Sequence, residues 1–217
     1  MEYYIRKMKD LALSLFPKTI FIGHLNNSKK QIDEIIKVVS NIKTFKSYQN
    51  TPHSKGNLTY VSKDKNVLDK LPKLKTKLYS KFIDFKKNIM AYKNDFKIST
   101  SWISKTDKKQ QSIYHNHKNS MYSGVYYPIV DEDSAPLLFH HDDYVSFNLE
   151  TTESNINNSS EIKVTPQSDN VIFFPSGLYH CIGEHLSNKT RYCIAFNLFP
   201  VGKLGDADSY VEVFFFF

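Results

Sequence analysis

The sequence predicts an α+β fold, with helices first and then an antiparallel β-sandwich or jelly roll filling the second half. Three observations lead there. Leu71, Leu74, Leu78, Phe82, Phe85 and Ile89 recur at three- and four-residue steps, an apolar stripe of helical period. From Phe96 onward the texture changes to short β-branched or aromatic runs separated by Asn, Asp, Ser and Pro. No helical pattern intervenes among these runs, which favours a sandwich over a sheet with crossover helices. At 217 residues one domain is expected, with 1–95 as a helical, lysine-rich support and 96–217 as the jelly-roll core.

Taken in order, residues 1–15 start like a helix, and 18–25 read as a short strand ended by Asn26, Asn27 and Ser28. Ser28 is a residue type that caps helices, and Ile32, Ile35, Ile36, Val39 and Ile42 follow at helical spacing, so a helix is expected over 29–42. Residues 44–64 are polar and read as a loop with one strand near 58–61. The longest helix is expected over 65–92, with Pro72 setting its first turn and its apolar stripe laid on the outside of a sheet. Strands are then expected at 98–105, 111–116, 121–130, 136–140, 144–149, 161–165, 170–174, 178–184 and 190–199. The asparagine-rich stretch 151–160 reads as an exposed loop. The apolar end, 213–217, reads as a last strand or as something to bury at an interface.

The net charge of +7 conceals an asymmetry. Residues 1–110 carry 24 Lys and Arg against 9 Asp and Glu, while 111–217 carry 5 against 13, so the first half is +15 and the second −8. A nucleic acid or other polyanion would therefore meet the first half, although a solvated helical exterior explains the same lysines and is favoured. Two cysteines, Cys181 and Cys193, are too few for a disulfide framework. With no signal-peptide pattern at the start and no run of about eighteen apolar residues, a cytoplasmic protein without a membrane contact is expected.

The chemistry concentrates in three places. His115 and His117 stand two residues apart, so on a strand both rings leave one face. His180 follows the turn Phe174-Pro175-Ser176-Gly177, 65 residues after His115. Arg191 opens a strand on which Arg191, Cys193, Ala195 and Asn197 share a face, and apart from Arg6 it is the sole arginine. A buried guanidinium needs an anion, and its planar fork matches a carboxylate. These residues read as a metal site with an anion clamp. Tyr127 and, more weakly, Ser123 are candidates to complete the clamp, while Trp102, Tyr114, Asn119, His140 and Asn197 are candidates to line a substrate pocket. His24, His53 and His185 read as surface residues. The plain alternatives are satisfied core or surface histidines, and an Arg191 paired with Glu184 on a strand surface. No Walker loop, Gly-x-Gly-x-x-Gly, Cys-x-x-Cys or Gly-x-Ser-x-Gly is present.

Together, His115-x-His117, Ser123-Gly124-Val125-Tyr126-Tyr127, the Phe-Pro turn before His180, and Arg191-Tyr192-x-Ile194-Ala195-Phe196-Asn197 resemble the 2-oxoglutarate-Fe(II) oxygenases found in marine phages and bacteria, relatives of the prolyl hydroxylases. The resemblance covers the second half well. It implies a double-stranded β-helix, Fe(II) and 2-oxoglutarate as cofactors, and oxidation of a substrate C–H bond with release of succinate and carbon dioxide. It also implies that Arg191 holds the far carboxylate of 2-oxoglutarate. The sequence departs from the family at His117, where Asp or Glu is usual. Three readings follow: an all-histidine site of His115, His117 and His180; a carboxylate arriving from elsewhere; or a pair formed by His141 and Asp143. The first is favoured, because only 39 residues separate His141 from His180. A peptidyl or small-molecule substrate is the family-level expectation. The alternatives are a non-catalytic jelly-roll binding protein and a three-histidine cupin-type dioxygenase that ignores 2-oxoglutarate.

Overall fold

The computed structural model describes residues 16–47, 57–141 and 149–214. The expected helix over 1–15, His53, Asp143 and the end of the phenylalanine-rich tail lie outside those residues. Within them the fold is mixed α/β and mostly β-sheet. The strand β1 (Phe21–His24) leads to the helix α1 (Lys29–Ser40), whose start is the expected one. Ser28 accepts from the Gln31 backbone N–H, and the Gln31 side chain accepts from the Ser28 N–H, a reciprocal cap that satisfies two orphan donors. Two short strands follow, β2 (Thr44–Lys46) and β3 (Tyr60–Ser62), where one had been expected. After a 3-10 turn at Val67–Lys70 comes α2 (Pro72–Asn88), with Pro72 in its first turn.

The second half supplies β4 (Asp95–Thr106), β5 (Tyr122–Tyr127), β6 (Leu137–His140), β7 (Glu161–Val164), β8 (Asn170–Pro175), β9 (His180–Ile182), β10 (Arg191–Leu204) and β11 (Val211–Val213). The large sheet runs β1-β8-β5-β10-β4-β3-β2, with β11 paired to the far end of β10, and a smaller sheet runs β7-β6-β9. The division expected at residue 95 does not separate helices from strands, because β1, β2 and β3 all join the large sheet. Residues 111–116 do not form the expected strand. They meet β9 only at intervals, through Ser112 N–H to Ile182 O and the reciprocal pair between His115 and His180, so no continuous ladder forms.

Alternation along the central strands sorts the two faces of the large sheet. Ile194, Phe196 and Leu198 of β10 join Tyr122, Tyr126, Phe173 and the buried stripe of α2 in one cluster. Phe82 sits at its centre, with ring centroids 5.1 Å from Phe96, 5.4 Å from Phe173 and 5.7 Å from Tyr122. The opposite face sends Val125, Tyr127, Phe174 and Cys193 toward Leu137 and Phe139 of the small sheet. The candidate site lies between the two sheets. Among the described residues no helix is long and apolar enough to cross a membrane.

Candidate metal centre and anion clamp

His115 and His117 lie on the irregular segment between β4 and β5, and His180 begins β9. Backbone hydrogen bonds register them. His115 and His180 exchange N–H···O bonds of 3.0 and 2.9 Å, and the His117 N–H donates to Ser176 O at 2.9 Å. The Phe-Pro-Ser-Gly turn therefore holds both ends of the triad. The ring centroids are 4.5 Å (His115 to His180), 4.9 Å (His117 to His180) and 5.3 Å (His115 to His117) apart. One ligating atom from each lies within 4.8 Å of the others.

Which nitrogen faces the centre follows from the other ring atom. His115 Nδ1 is 2.9 Å from Ile113 O and His180 Nδ1 is 2.8 Å from Leu178 O. A carbonyl only accepts, so both Nδ1 atoms carry the hydrogen and both Nε2 atoms present a lone pair. His117 Nδ1 lies 2.9 Å from Asn197 Oδ1 and 2.7 Å from Ser123 Oγ. Asn197 is itself aimed by Nδ2 donating to Thr100 Oγ1 at 3.3 Å, and Ser123 Oγ is joined to Ser176 Oγ at 2.9 Å. Such anchoring of the distal nitrogen is what a metal-binding imidazole requires. Burial lowers all three imidazole pKa values, His180 to about 3 and His117 to about 4, with the neighbouring His115 lowering both further. All three rings are neutral at pH 7 and fit a divalent ion without first losing a proton.

Arg191 is 3% exposed, which removes the surface-strand reading, and Glu184 is not its partner. Its Nη1 donates to Ala135 O and its Nη2 to Thr106 Oγ1 at 3.4 Å, while its buried Nε has no hydrogen-bond partner. The guanidinium lies 5.5 Å from the Tyr127 ring centroid. No carboxylate among the described residues forms an ion pair with it, so a buried cation stands with an unanswered donor, a cradle that fits an anionic co-substrate. Tyr127 is buried, and burial raises its phenol pKa, so it is a neutral hydroxyl here.

A cavity of about 600 Å³ is lined by His115, His117, His180, Trp102, Tyr127 and Asn197, among other residues. Trp102 stands edge-on to His117 at 5.3 Å. Three pocket candidates, Asn119, His140 and Tyr114, are absent from the lining. Asn119 is exposed, with φ +56 in a turn, and its place on the wall is taken by Asn116. His140 is exposed on the side of β6 opposite Phe139 and stacks near Tyr114, whose hydroxyl is spent on Glu161. Ser123 is placed against His117, four residues along β5 from Tyr127. His141 follows the end of β6, is exposed, and is absent from the three-imidazole cluster. His185, expected at the surface, is fully buried: Nδ1 accepts from the Ala135 N–H at 3.0 Å and Nε2 donates to Lys189 O at 2.7 Å. No local pattern signals that role, which exists only once two loops meet. Ser176, in the turn that precedes His180, also belongs to the site, through its carbonyl to the His117 N–H and its Oγ to Ser123 Oγ, and no spacing in the sequence points to it.

Residues 100–197 match the family model described as Putative 2OG-Fe(II) oxygenase. The matched stretch contains His115, His117, His180 and Arg191. No curated protein matches the sequence. Among solved structures, the fold of this chain is similar to a prolyl hydroxylase from Trichoplax adhaerens in complex with a hypoxia inducible factor peptide fragment (12% identity, TM-score 0.58, 83% of each chain). It is also similar to HygX from Streptomyces hygroscopicus with nickel and 2-oxoglutarate bound (11% identity, TM-score 0.57, 84% of this chain and 83% of that one). A third likeness is to SnoN, an α-ketoglutarate dependent epimerase from nogalamycin biosynthesis (7% identity, TM-score 0.62, 85% and 77%). At such identities the likeness speaks for the double-stranded β-helix fold, and the three-histidine cluster fits Fe(II).

Proposed function

We propose that this oxygenase hydroxylates a C–H bond of a peptidyl or small-molecule substrate, holding Fe(II) on His115, His117 and His180 and the far carboxylate of 2-oxoglutarate at Arg191. The observation that carries the reading is the triad itself: three neutral imidazoles, each with Nδ1 tied to a fixed partner, turned toward one point. Bound Fe(II) would let dioxygen act as the oxidant, with 2-oxoglutarate as the co-reductant that leaves as succinate and carbon dioxide. The chain's own residues do the rest. Ile113 O, Leu178 O, Asn197 and Ser123 fix the ligand rings. Arg191 presents its unanswered donor to a carboxylate, and Tyr127 flanks it without competing as an anion. Phe139 and Phe174 pack against His180 at 6.2 and 4.6 Å and keep water from that side.

A three-histidine dioxygenase that ignores 2-oxoglutarate is favoured by the absence of a carboxylate from the histidine cluster among the described residues, but it leaves buried Arg191 without a purpose. A binding protein without turnover leaves the tied imidazoles unexplained. The test is an anaerobic titration of Fe(II)-loaded protein with 2-oxoglutarate. A weak visible charge-transfer band is expected in the wild type, together with succinate formation in air. Absence of both, with iron bound, overturns the proposal. We place the protein in the cytoplasm, where the buried thiols of Cys181 and Cys193 stay reduced.

A further inference from the structure

Among the described residues the lining of the cavity around the three imidazoles contains no carboxylate, and its lysines are Lys46 and Lys65, both exposed. Lys65 is held there. Its carbonyl accepts from the Ser101 N–H at 2.6 Å, and its ammonium lies 5.5 Å from the ring centroid of Trp102, whose ring in turn lies 5.3 Å from that of His117. Lys46 ends β2 opposite Tyr60 of β3. Among the described residues neither lysine has an acidic partner, whereas Lys70, Lys75, Lys86 and Lys105 each face a carboxylate.

This inference rests on the reading of the site as an Fe(II) and 2-oxoglutarate centre. With His117 where a carboxylate is usual, the ligand set contributes no negative charge, so a divalent ion keeps one more positive charge than a two-histidine, one-carboxylate set leaves it. The two carboxylates of 2-oxoglutarate answer the guanidinium and half the ion's charge. The remaining positive potential has no counterpart on the described wall, and a cationic substrate would be repelled there. We propose that the substrate is a small organic anion whose carboxylate or phosphate is met by Lys46 and Lys65 beside Trp102, with the C–H to be oxidised pointing toward the histidines. A cavity of about 600 Å³ has room for a small molecule beside the co-substrate. Each exposed lysine contributes up to about fivefold, so the pair gives at most about 25-fold, and about tenfold lies within that range.

The protein contains a single tryptophan, and it is Trp102, which makes its fluorescence the readout. The protein is loaded with Zn(II), which blocks turnover, and saturated with 2-oxoglutarate. It is then titrated with two matched pairs: N-acetylglutamate against N-acetylglutamine, and glycerol 3-phosphate against glycerol. The expected result is that at least one anion perturbs Trp102 emission at a concentration about tenfold below its neutral partner. The pair that discriminates more strongly identifies the anion as carboxylate or phosphate. The preference should shrink in 1 M salt and approach unity in the double variant Lys46→Met, Lys65→Met. Indistinguishable affinities within both pairs, or a preference that survives the double variant, overturns the proposal. Equilibrium dialysis of labelled 2-oxoglutarate on the same Zn(II) protein separates the two readings. Normal co-substrate binding without anion preference sinks only this inference, and no co-substrate binding sinks the site assignment beneath it.

Discussion

The two faces of the large sheet use the same strands for opposite purposes. On β10, Ile194, Phe196 and Leu198 point to the helices and are completely buried, while Cys193, Ala195 and Asn197 line the cavity between the sheets and Arg191, on the same side of the strand, lies against the Tyr127 ring. On β5, Tyr122 and Tyr126 face the helices, and Ser123 and Tyr127 face the site. The helix side is a packed aromatic cluster that stabilises the chain by removing apolar surface from water. The cavity side carries a buried guanidinium with an unpaired Nε and three imidazoles held neutral, groups that cost stability until something binds them. One face holds the fold, and the other is held in readiness by it. Substitutions on the two faces should therefore separate stability from binding.

The largest separation is expected from Phe82→Ala on the helix side. Removing that ring should cost about 3–5 kcal/mol of unfolding free energy by denaturant titration, while the folded fraction retains wild-type metal affinity. A parallel loss of metal affinity in the folded fraction would break the division of labour. On the cavity side, Arg191→Met should weaken 2-oxoglutarate binding by about 100-fold or more and leave the melting temperature of the metal-free protein unchanged or raised, because an uncompensated buried charge is removed. Calorimetry and thermal unfolding on the same sample check both halves. Asn197→Ala, which frees the Nδ1 side of His117, should lower metal affinity by about 10- to 100-fold at nearly constant stability. If Ser123 alone suffices to hold the ring, the loss will be smaller and Ser123→Ala will show it.

The smallest effect is one of pH on the metal-free protein. His180 and His117 are lowered to about 3 and 4, and His115 is lowered as well. Below the ordinary imidazole range of about 6.5 the unfolded chain takes up protons that the folded chain refuses, so stability rises with pH there. The contribution of these groups should be complete above about pH 6.5 and lost progressively as pH falls toward 4 and 3. Thermal melts from pH 7 to 4 should show a steeper decline for the wild type than for His180→Ala. The same burial moves the acid limit of metal binding below the pH of about 6 that unperturbed imidazoles suggest.

What could be read in the sequence follows the range of the forces involved. Ser28 and the apolar stripe of α2 announced themselves through local chemistry and period. His115, His117 and His180 converged because a two-residue spacing and a Phe-Pro turn constrain where side chains go. Apart from His140, the misassignments came from contacts that local pattern does not encode. His140 was misplaced although parity with Phe139 puts it on the outer side of β6. Asn119 adopts a left-handed turn conformation that its side chain tolerates well. His185 is buried only because the loops carrying Ala135 and Lys189 close over it. The segment 111–116 has strand-forming residues, yet its pairing with β9 is interrupted, and the interruption is what leaves His115 and His117 free of a regular ladder to face the cavity.

The account stands on three imidazoles sharing one ion. X-ray absorption on the anaerobic Fe(II)-loaded protein, compared with His117→Ala, tests that most directly. The expected result is imidazole scattering from three histidines in the wild type and from two in the variant, with no carboxylate ligand from the protein. Two histidines in both samples, with a carboxylate such as Asp143 supplying the third position, would contradict it.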